Sequence, residues 1–297
     1  MEQASKPKEI ITIQKSSAFW KETFKKLLKT KRAVFAMVSI TLLTLMAIFA
    51  PIIAPLDPNE IFLDAILITS SPRHPLGTDQ FGRDILSRII FGARISLTIG
   101  ILTTLISTVI GVTVGSIAGY FGRTVDMVLS RFMEVMRAFP TLLFSMAILA
   151  ILGPGTFNLF IALGLLGWVG IARMVRGQII QLKEREYVEA AKASGAPAVW
   201  IIIKHMIPNC LPMIIISVSM GIPGNMLAEV GLSFIGLGVQ PPTPSWGAMI
   251  NQSRMFIRQV PMFSVYPGIA IMLMVFSFNM LGDSLRDALD PRLRDSV

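Results

Sequence analysis

Six long stretches of this 297-residue chain contain no Asp, Glu, Lys or Arg. They are residues 33–56, 95–122, 138–172, 206–228, 230–253 and 259–282. Because the hydrocarbon core of a bilayer is about 30 Å thick, about 20 consecutive apolar residues are enough for a helix to cross it. The uncharged stretches therefore predict an all-α membrane protein and exclude an ordinary water-soluble enzyme.

The composition agrees with that interpretation. Charged residues make up 15% of the chain, against about 25% in an average soluble domain. The single cysteine, Cys210, has no partner within the chain, which excludes a scaffold held by intrachain disulfides.

We predict six transmembrane helices, with one hairpin between the third and the fourth. Gly153-Pro154-Gly155 marks that hairpin, because proline and glycine end one helix and turn the chain. The third helix has to begin among Glu134 and Arg137, which are spaced to pair with each other. The predicted spans are 34–54, 95–119, 133–152, 157–176, 208–231 and 262–282.

The orientation follows from the basic side chains, which favour the cytoplasmic side of a membrane. With the N-terminus inside, 21 of the 27 Lys and Arg residues fall in cytoplasmic segments and 6 in extracytoplasmic ones. We therefore place both termini in the cytoplasm. The predicted division is a basic cytoplasmic segment 1–33, a first span 34–54, an extracytoplasmic segment 55–94, a core of five spans 95–282 with a cytoplasmic loop 177–205, and a cytoplasmic tail 283–297.

The basic N-terminal segment carries aromatic and aliphatic residues near helical spacing among its lysines. They are Phe19, Trp20, Phe24, Leu27 and Leu28. This pattern favours a short helix that lies on an anionic lipid surface. The alternative is a solvated basic tail.

The glycines of the second span and the glycines and prolines of the fifth span predict different features. Gly111, Gly115 and Gly119 recur every fourth residue, which predicts a face that another helix approaches closely. In the fifth span a larger set of breakers predicts an interrupted helix facing the interior of an assembly, because broken backbone at membrane depth needs protein or a water-filled cavity beside it. These breakers are Pro208, Pro212, Gly221, Pro223 and Gly224.

Several kinds of catalytic site are missing from the sequence. No Gly precedes a Lys, so there is no Walker-A phosphate loop, and no Gly-x-Ser-x-Gly elbow occurs. The two histidines, His74 and His205, and one cysteine are too few for a typical His/Cys metal centre, and we expect both histidines to make ordinary polar contacts. We therefore expect no catalysis, no cofactor and no metal on this chain, so that any energy comes from another chain.

The predicted cytoplasmic loop contains an alanine-rich, mixed-charge stretch, residues 183–194, that ends in Gly195 and then Pro197. This order is typical of a helix with a stop signal. At about ten residues, such a helix is too short to be stable alone in water. Its small side chains suit it to a groove on a partner protein.

The same loop resembles a known motif. Glu189-Ala190-Ala191, then three residues, Gly195, and then Ile207-Pro208 is similar to the "EAA" motif in permease subunits of binding-protein-dependent ABC importers. The sequence departs from the general pattern at two positions, with His205 in place of Ile and Ile207 in place of Leu. A histidine at this position resembles the form that the motif takes in the peptide-importer branch of the family.

Three more stretches resemble the C-type permeases of dipeptide, oligopeptide and nickel importers. They are residues 75–88 (PLGTDQFGRDILSR), 231–247 (GLSFIGLGVQPPTPSWG) and 279–292 (NMLGDSLRDALDPR). With the predicted spans, the resemblance extends over nearly everything from residue 30 onward. It implies the fold of a type I ABC importer permease.

The resemblance also implies a division of labour in a prokaryotic cell membrane. Two permease chains form the pore, two cytoplasmic ATPases bind ATP and Mg, and an extracytoplasmic binding protein delivers a dipeptide or oligopeptide. Nickel or another small solute is the nearest alternative substrate. An autonomous secondary transporter or channel is a further alternative, but it needs charges at the membrane midplane, and Glu229 is almost the only one. A membrane scaffold that transports nothing is the third, and the broken fifth span argues against it.

The resemblance and the residue patterns together assign three groups of candidate residues. Those implied to contact the ATPase are Arg185, Tyr187, Glu189, Ala190, Ala191, Ala193, Gly195 and Pro208. Those considered for translocation or gating are Pro223, Glu229, Gly236, Gly238 and Trp246. Those considered for docking of the binding protein are Asp79, Arg83, Asp84 and Arg88, on or beside a surface helix predicted at 82–93 in which Asp84 and Arg88 pair. For the docking residues, the alternative is ordinary packing against the partner permease. For Glu229, the alternatives are a structural role and a position near the outer membrane interface.

Overall fold

The structure, a computed structural model, describes residues 16–289, so the predictions for residues 1–15 and 290–297 lie outside it. The described residues form helices joined by turns and contain no β-sheet. The helices are α1 Ser16–Lys29, α2 Lys31–Ile48, α3 Ala50–Ile53, α4 Ile85–Phe121, α5 Arg123–Ala138, α6 Thr141–Leu152, α7 Thr156–Lys183, α8 Glu186–Ala193, α9 Ala198–Ile201, α10 Ile207–Phe234, α11 Trp246–Ser253 and α12 Met262–Leu289. A π-helical turn, Ile202–Met206, joins α9 to α10.

Five of the described helical stretches are long and apolar enough to cross a membrane. They are α2, α4, α7, the stretch Ala198–Phe234, and α12. The helices α5 and α6 also pass as a pair, although they meet at an angle of 85°. The described chain therefore has five such helices, or six if the bent pair is one span.

The third predicted span, 133–152, is broken by a bend and is not one continuous helix. The chain leaves the helical conformation at Phe139 (φ −97°, ψ 133°), and α6 begins after Pro140. Proline disfavours the helical conformation in the residue that precedes it, which accounts for the break. Glu134 pairs with Arg131 at 2.8 Å, where we had predicted pairing with Arg137.

The predicted interruption of the fifth span is also wrong. The helix α10 continues through Pro212 and Pro223. Each proline removes one backbone hydrogen bond, whereas ending the helix at that point would leave up to about eight backbone groups without a helical partner. Continuity is therefore the less costly arrangement, and the irregularity moves to the π-helical turn before α10.

The surface helix predicted at 82–93 is in fact the first part of α4, which runs unbroken from Ile85 for 37 residues. The side chain of Asp84 caps it by accepting a hydrogen bond from the backbone N–H of Ser87 at 2.8 Å. The predicted pair of Asp84 with Arg88 does not form, because the cap turns that carboxylate toward the helix start and Arg88 lies beside Asp79. At about 1.5 Å per residue, α4 is longer than a bilayer core is thick.

The glycine face of α4 packs closely on α7, as predicted. A Cβ atom added at Gly111 would lie 2.8 Å from the carbonyl oxygen of Trp168, and one at Gly119 would lie 2.9 Å from that of Arg176. At Gly115 the added atom would overlap the backbone of Ala172. The two helix backbones are therefore in direct contact along three turns.

We expect Gly115→Ala to destabilise the chain by about 1–3 kcal/mol, because the new methyl group overlaps backbone that cannot rotate away. Gly170→Ala on α7 is the matched control, since a Cβ there would have no described atom within 4 Å. Thermal unfolding of the purified chain in detergent measures both changes. Equal unfolding temperatures for the two variants would contradict the close packing.

The N-terminal helix α1 forms where the basic, aromatic segment predicted a helix. Leu27 is buried, while Phe24 and Leu28 are about half exposed. The side chain of Phe19 lies outside the part that the structure describes. The helix leads into α2 through the single residue Thr30.

Candidate functional site

The buried residue of the short helix α8 is Val188. Val188 is fully buried in a cluster that includes Val175 and Ile179 of α7 and Ile201 and Met206 of the segment before α10. Because these neighbours belong to two long helical stretches, α8 packs against both of them. Val188 therefore connects α8 to both α7 and the stretch that leads into α10.

Gly195 ends α8, as predicted. Its φ of +78° lies in the left-handed region that favours glycine. Its N–H donates to the carbonyl of Lys192 at 3.0 Å, and the next N–H, of Ala196, donates to the carbonyl of Ala191 at 3.1 Å. This pair of bonds is the Schellman arrangement, which satisfies carbonyls at the helix end.

We expect Gly195→Val to weaken the end of α8 by about 1–2 kcal/mol, because a β-branched residue is strained at this φ. Gly195→Asn is the control, since asparagine tolerates the left-handed region. Amide hydrogen exchange of Tyr187–Ser194 should quicken in the valine variant and change little in the asparagine variant. Equal protection in both would show that the backbone conformation of Gly195 is not what ends the helix.

The outward face of α8 carries most of the residues assigned to partner contact. Glu189, Ala190 and Ala193 are exposed, and Tyr187 is about 42% exposed. Arg185 and Gly195 are exposed at its two ends, and Pro208 is exposed in the first turn of α10. The exception is Ala191, which is half-buried and packs on the Val188 cluster. We call the exposed set the α8 face.

An aromatic group beside the α8 face was missed at the sequence level. The ring of His205 lies 4.9 Å from that of Trp200 and 6.1 Å from that of Tyr187. Val199 and Ile203 beside them are 65% and 56% exposed. The apolar run at 198–203 was the available signal, but it was assigned to a loop as a whole. His205 makes ring contacts there, where we predict ordinary polar contacts.

The four residues considered for binding-protein docking do come together, but inside the protein. Asp79 accepts a hydrogen bond from Arg83 Nε at 2.7 Å and lies 3.5 Å from Arg88 Nε. Arg88 donates to the carbonyl of Pro58 at 2.9 Å, and Arg83 donates to Gln252 of α11 at 3.3 Å. We call Asp79, Arg83, Asp84 and Arg88 the buried ion network.

The remaining member of that network, Asp84, ties the same segment to α4. One carboxylate oxygen lies 3.1 Å from Nδ1 of His74, and the other accepts hydrogen bonds from the N–H and the hydroxyl of Ser87, each at 2.8 Å. All four network residues are at most 5% exposed. The network therefore determines the shape of residues 55–84 and does not itself present charges at the surface.

Glu229 sits in a second buried polar site, near the end of α10. One of its carboxylate oxygens accepts hydrogen bonds from the hydroxyls of Ser233 at 2.6 Å and Ser245 at 3.0 Å. The other has no hydrogen-bond partner among the described residues. The Ser245 hydroxyl in turn caps α11 by accepting the N–H of Ala248 at 3.1 Å. Glu229 thus joins α10 to the start of α11.

Trp246 extends that link to α4. Its indole N–H donates to the carbonyl of Ile89 at 3.0 Å, and its backbone N–H donates to Ser96 at 3.2 Å. Gly238 is buried against Ser233 in the same region, whereas Gly236 lies in an exposed turn and Pro223 is buried earlier in α10. Of the residues considered for gating, Glu229, Gly238 and Trp246 are therefore brought together.

We expect Glu229→Ala to destabilise the chain by about 1–3 kcal/mol, since two buried hydroxyls lose their acceptor. Glu229→Gln retains an acceptor oxygen and should cost less. Thermal unfolding measures the difference in stability between the alanine and glutamine variants. Solute uptake by the intact assembly should be unchanged for Glu229→Gln. A normally stable Glu229→Gln protein with lost uptake would show that the charge itself acts in translocation.

Two family comparisons match this chain. Residues 111–295 match the family described as "Binding-protein-dependent transport system inner membrane component". Residues 18–72 match the "N-terminal TM domain of oligopeptide transport permease C". The two matches take in α1, α2 and the long helices from the second half of α4 onward.

Curated relatives resemble the chain over almost its whole length. The dipeptide transport system permease protein DppC of Alkalihalophilus pseudofirmus is 44% identical over 93% of this chain and 90% of its own length. The glutathione transport system permease protein GsiD of Pectobacterium atrosepticum is 40% identical over 93% and 92%. The oligopeptide transport system permease protein OppC of Haemophilus influenzae is 38% identical over 93% and 90%.

A solved structure has a similar fold. The MetNI methionine ABC transporter, in an inward-facing conformation, contains a chain that superposes with a TM-score of 0.55. The match covers 69% of this chain and 98% of that one, at 16% sequence identity. At that identity the likeness concerns the fold alone.

Proposed function

Because this chain belongs to the family of binding-protein-dependent transport system inner membrane components, we propose that it is the permease subunit of an ABC importer that moves dipeptides or oligopeptides into the cytoplasm. The family consists of permease subunits, which are not themselves catalytic. The similarity to a dipeptide permease over almost the whole chain is the observation that carries the proposed substrate class.

The proposed topology has six spans, with α5 and α6 together as the third, and both termini in the cytoplasm of a prokaryotic cell. The distribution of Lys and Arg supports it, with 21 of 27 on the side assigned to the cytoplasm. The extracytoplasmic segment is 55–84, since α4 begins at Ile85. The α8 face then lies in the cytoplasm, and the buried ion network lies at the opposite end of α4.

Coupling is proposed to pass through the α8 face to an ATPase that binds ATP and Mg, with a second permease chain and a second ATPase completing the assembly. The small side chains of Ala190 and Ala193 allow a groove to approach the helix closely, and Glu189 supplies a charge for pairing. Val188 then transmits the movement to α7 and α10. ATP has to favour one conformation over the other, because a ligand shifts an equilibrium only by its differential affinity for the two states.

At the other end, the binding protein is proposed to dock on residues 55–84, whose shape depends on the buried ion network. The link from Glu229 through Ser245 to Trp246 is proposed to hold α10, α11 and α4 together as the outer gate. In that arrangement, the buried ion network positions the segment, and exposed neighbours such as Phe81 contact the binding protein.

Glutathione is a second candidate substrate, because a relative of nearly the same identity is named for it. Both candidates are peptides or peptide-like, so the same pore dimensions serve either. Nickel or another small solute remains the alternative from the outer sequence signatures.

Uptake by membrane vesicles that contain the complete importer tests the proposal. Labelled dipeptide should accumulate when ATP is supplied, and unlabelled oligopeptide should compete with it. Glutathione that competes while dipeptide does not would favour the second candidate. Accumulation of nickel alone would reject a peptide substrate.

A further inference from the structure

A groove of about 510 Å³ runs along the junction of α1 and α2. Lys29, at the end of α1, and Lys31, at the start of α2, stand on its wall together with Phe35, Val38 and Leu42 of α2. A single residue, Thr30, separates the two helices, so both lysines lie at the same end of the groove. The groove is not part of the α8 face, the buried ion network or the Glu229 site.

The wall of the groove changes from charged to apolar along α2. Lys31, Phe35, Val38 and Leu42 are spaced by four, three and four residues, which places them on one face of the helix. The three apolar side chains are 48%, 51% and 61% exposed. A partner for this surface needs an anionic end and a long apolar part.

The length of the stripe matches one leaflet of a bilayer. Leu42 lies 11 residues after Lys31 in α2, a rise of about 16 Å at 1.5 Å per residue. Half of a hydrocarbon core about 30 Å thick is about 15 Å. With Lys31 at the level of the headgroups, the apolar stripe therefore ends near the middle of the membrane.

The charged end of the groove attracts anions. Residues 20–32 carry six basic side chains and one acidic side chain, Glu22. No ion pair joins Lys29 or Lys31 to a carboxylate in the described part of the chain. Both lysines are exposed and, in the membrane orientation proposed above, lie at the level of the lipid phosphates. Lys31 also lines a second groove with Asp283 and Asp287 of α12, but neither carboxylate is within ion-pair distance of it.

We propose that this groove binds one anionic phospholipid from the cytoplasmic leaflet. Its phosphate lies between the ammonium groups of Lys29 and Lys31, and an acyl chain lies against Phe35, Val38 and Leu42. The inference rests on the membrane orientation proposed above and is independent of the transported solute. A lipid in this position ties α1 to the membrane surface and to the first span.

Native mass spectrometry of the purified, complete importer tests the proposal, with phosphatidylglycerol and zwitterionic phosphatidylcholine as the two probes. The wild-type complex should retain phosphatidylglycerol in preference. The double variant Lys29→Gln/Lys31→Gln should bind it about thirtyfold more weakly, given about 1 kcal/mol for each lysine. The matched control is Lys25→Gln/Lys26→Gln, which removes the same charge from exposed positions of α1 outside the groove wall and should retain most of the affinity.

Val38→Trp provides a second variant, because it fills the groove and leaves all lysines in place. It should lower phosphatidylglycerol retention as well. The proposal is overturned if both double variants lose equal affinity, which would indicate diffuse surface charge, or if the two lipids are retained equally. Absence of bound lipid from the wild-type complex, as expected if a partner subunit covers the groove, also overturns it. Since the readout is lipid mass, failed peptide uptake with normal lipid retention would reject only the transport proposal.

Discussion

Asp79→Ala is expected to cost more folding free energy than any other single change considered, about 3–5 kcal/mol. The Asp79 carboxylate is the nearest negative charge to two buried guanidinium groups, those of Arg83 and Arg88. Arg88 is fully buried, and the one hydrogen bond of its guanidinium group among the described residues goes to the carbonyl of Pro58. Removing Asp79 leaves both buried guanidinium groups without the carboxylate that pairs with them.

The same carboxylate also organises the turn that precedes α4. One of its oxygens accepts the backbone N–H groups of Phe81 and Arg83, at 2.8 and 3.0 Å. We therefore expect the alanine variant to lose the conformation of residues 55–84 before the long helices separate. Limited proteolysis in that segment, together with thermal unfolding in detergent, measures the two effects.

Asp64→Ala is the matched control for this experiment. Asp64 lies in the same segment, but its side chain is exposed, so its removal should change stability by less than about 0.5 kcal/mol. Equal stability and equal protease resistance of the two variants would contradict the structural role of the buried ion network. Asp79→Asn should fall between them, since it keeps the acceptor oxygen and loses the charge.

Glu189→Lys is expected to reduce ATP-driven uptake by tenfold or more, while the chain stays folded and inserted. Glu189 is exposed on α8 and makes no ion pair in the described part of the chain, so the change leaves the fold of this subunit intact. At an interface, reversing a charge places like charges together, which costs several kcal/mol. The expected loss is therefore in docking of the ATPase.

Glu184→Lys makes the same charge change at an exposed position between α7 and α8. Uptake assays, ATPase activity of the complex, and the amount of ATPase that copurifies with the permease compare the two variants. Glu189→Lys should lower all three, and Glu184→Lys should lower them little. Wild-type uptake by the Glu189 variant would remove this residue from the coupling surface.

The elements predicted well from the sequence are those determined by local pattern. The α8 helix follows from an alanine-rich stretch that stops at Gly195, since the φ of +78° there favours glycine. The close contact of α4 with α7 follows from three glycines spaced by four, since only a missing side chain permits it. Both patterns lie within about ten residues, and over that length the helical period determines which side chains share a face of the helix.

The features that were not predicted depend on contacts between distant residues. Asp79 and Arg88 have the charges of a surface helix, and burial becomes apparent only with Pro58 and α11 packed over them. The break at Phe139 and the continuity of α10 are both decided by competition between a proline and the helix around it. The sequence contains the same residue type in both places, yet α6 begins after Pro140, whereas α10 runs through Pro212 and Pro223.

We propose that this permease works only when an ATPase drives it through the α8 face. Peptide uptake by proteoliposomes tests it most directly, with the complete importer in one preparation and this chain with its partner permease alone in the other. We expect ATP-dependent accumulation in the first and none above the leak in the second. Accumulation without the ATPases would contradict the claim and would indicate a transporter driven by an ion gradient.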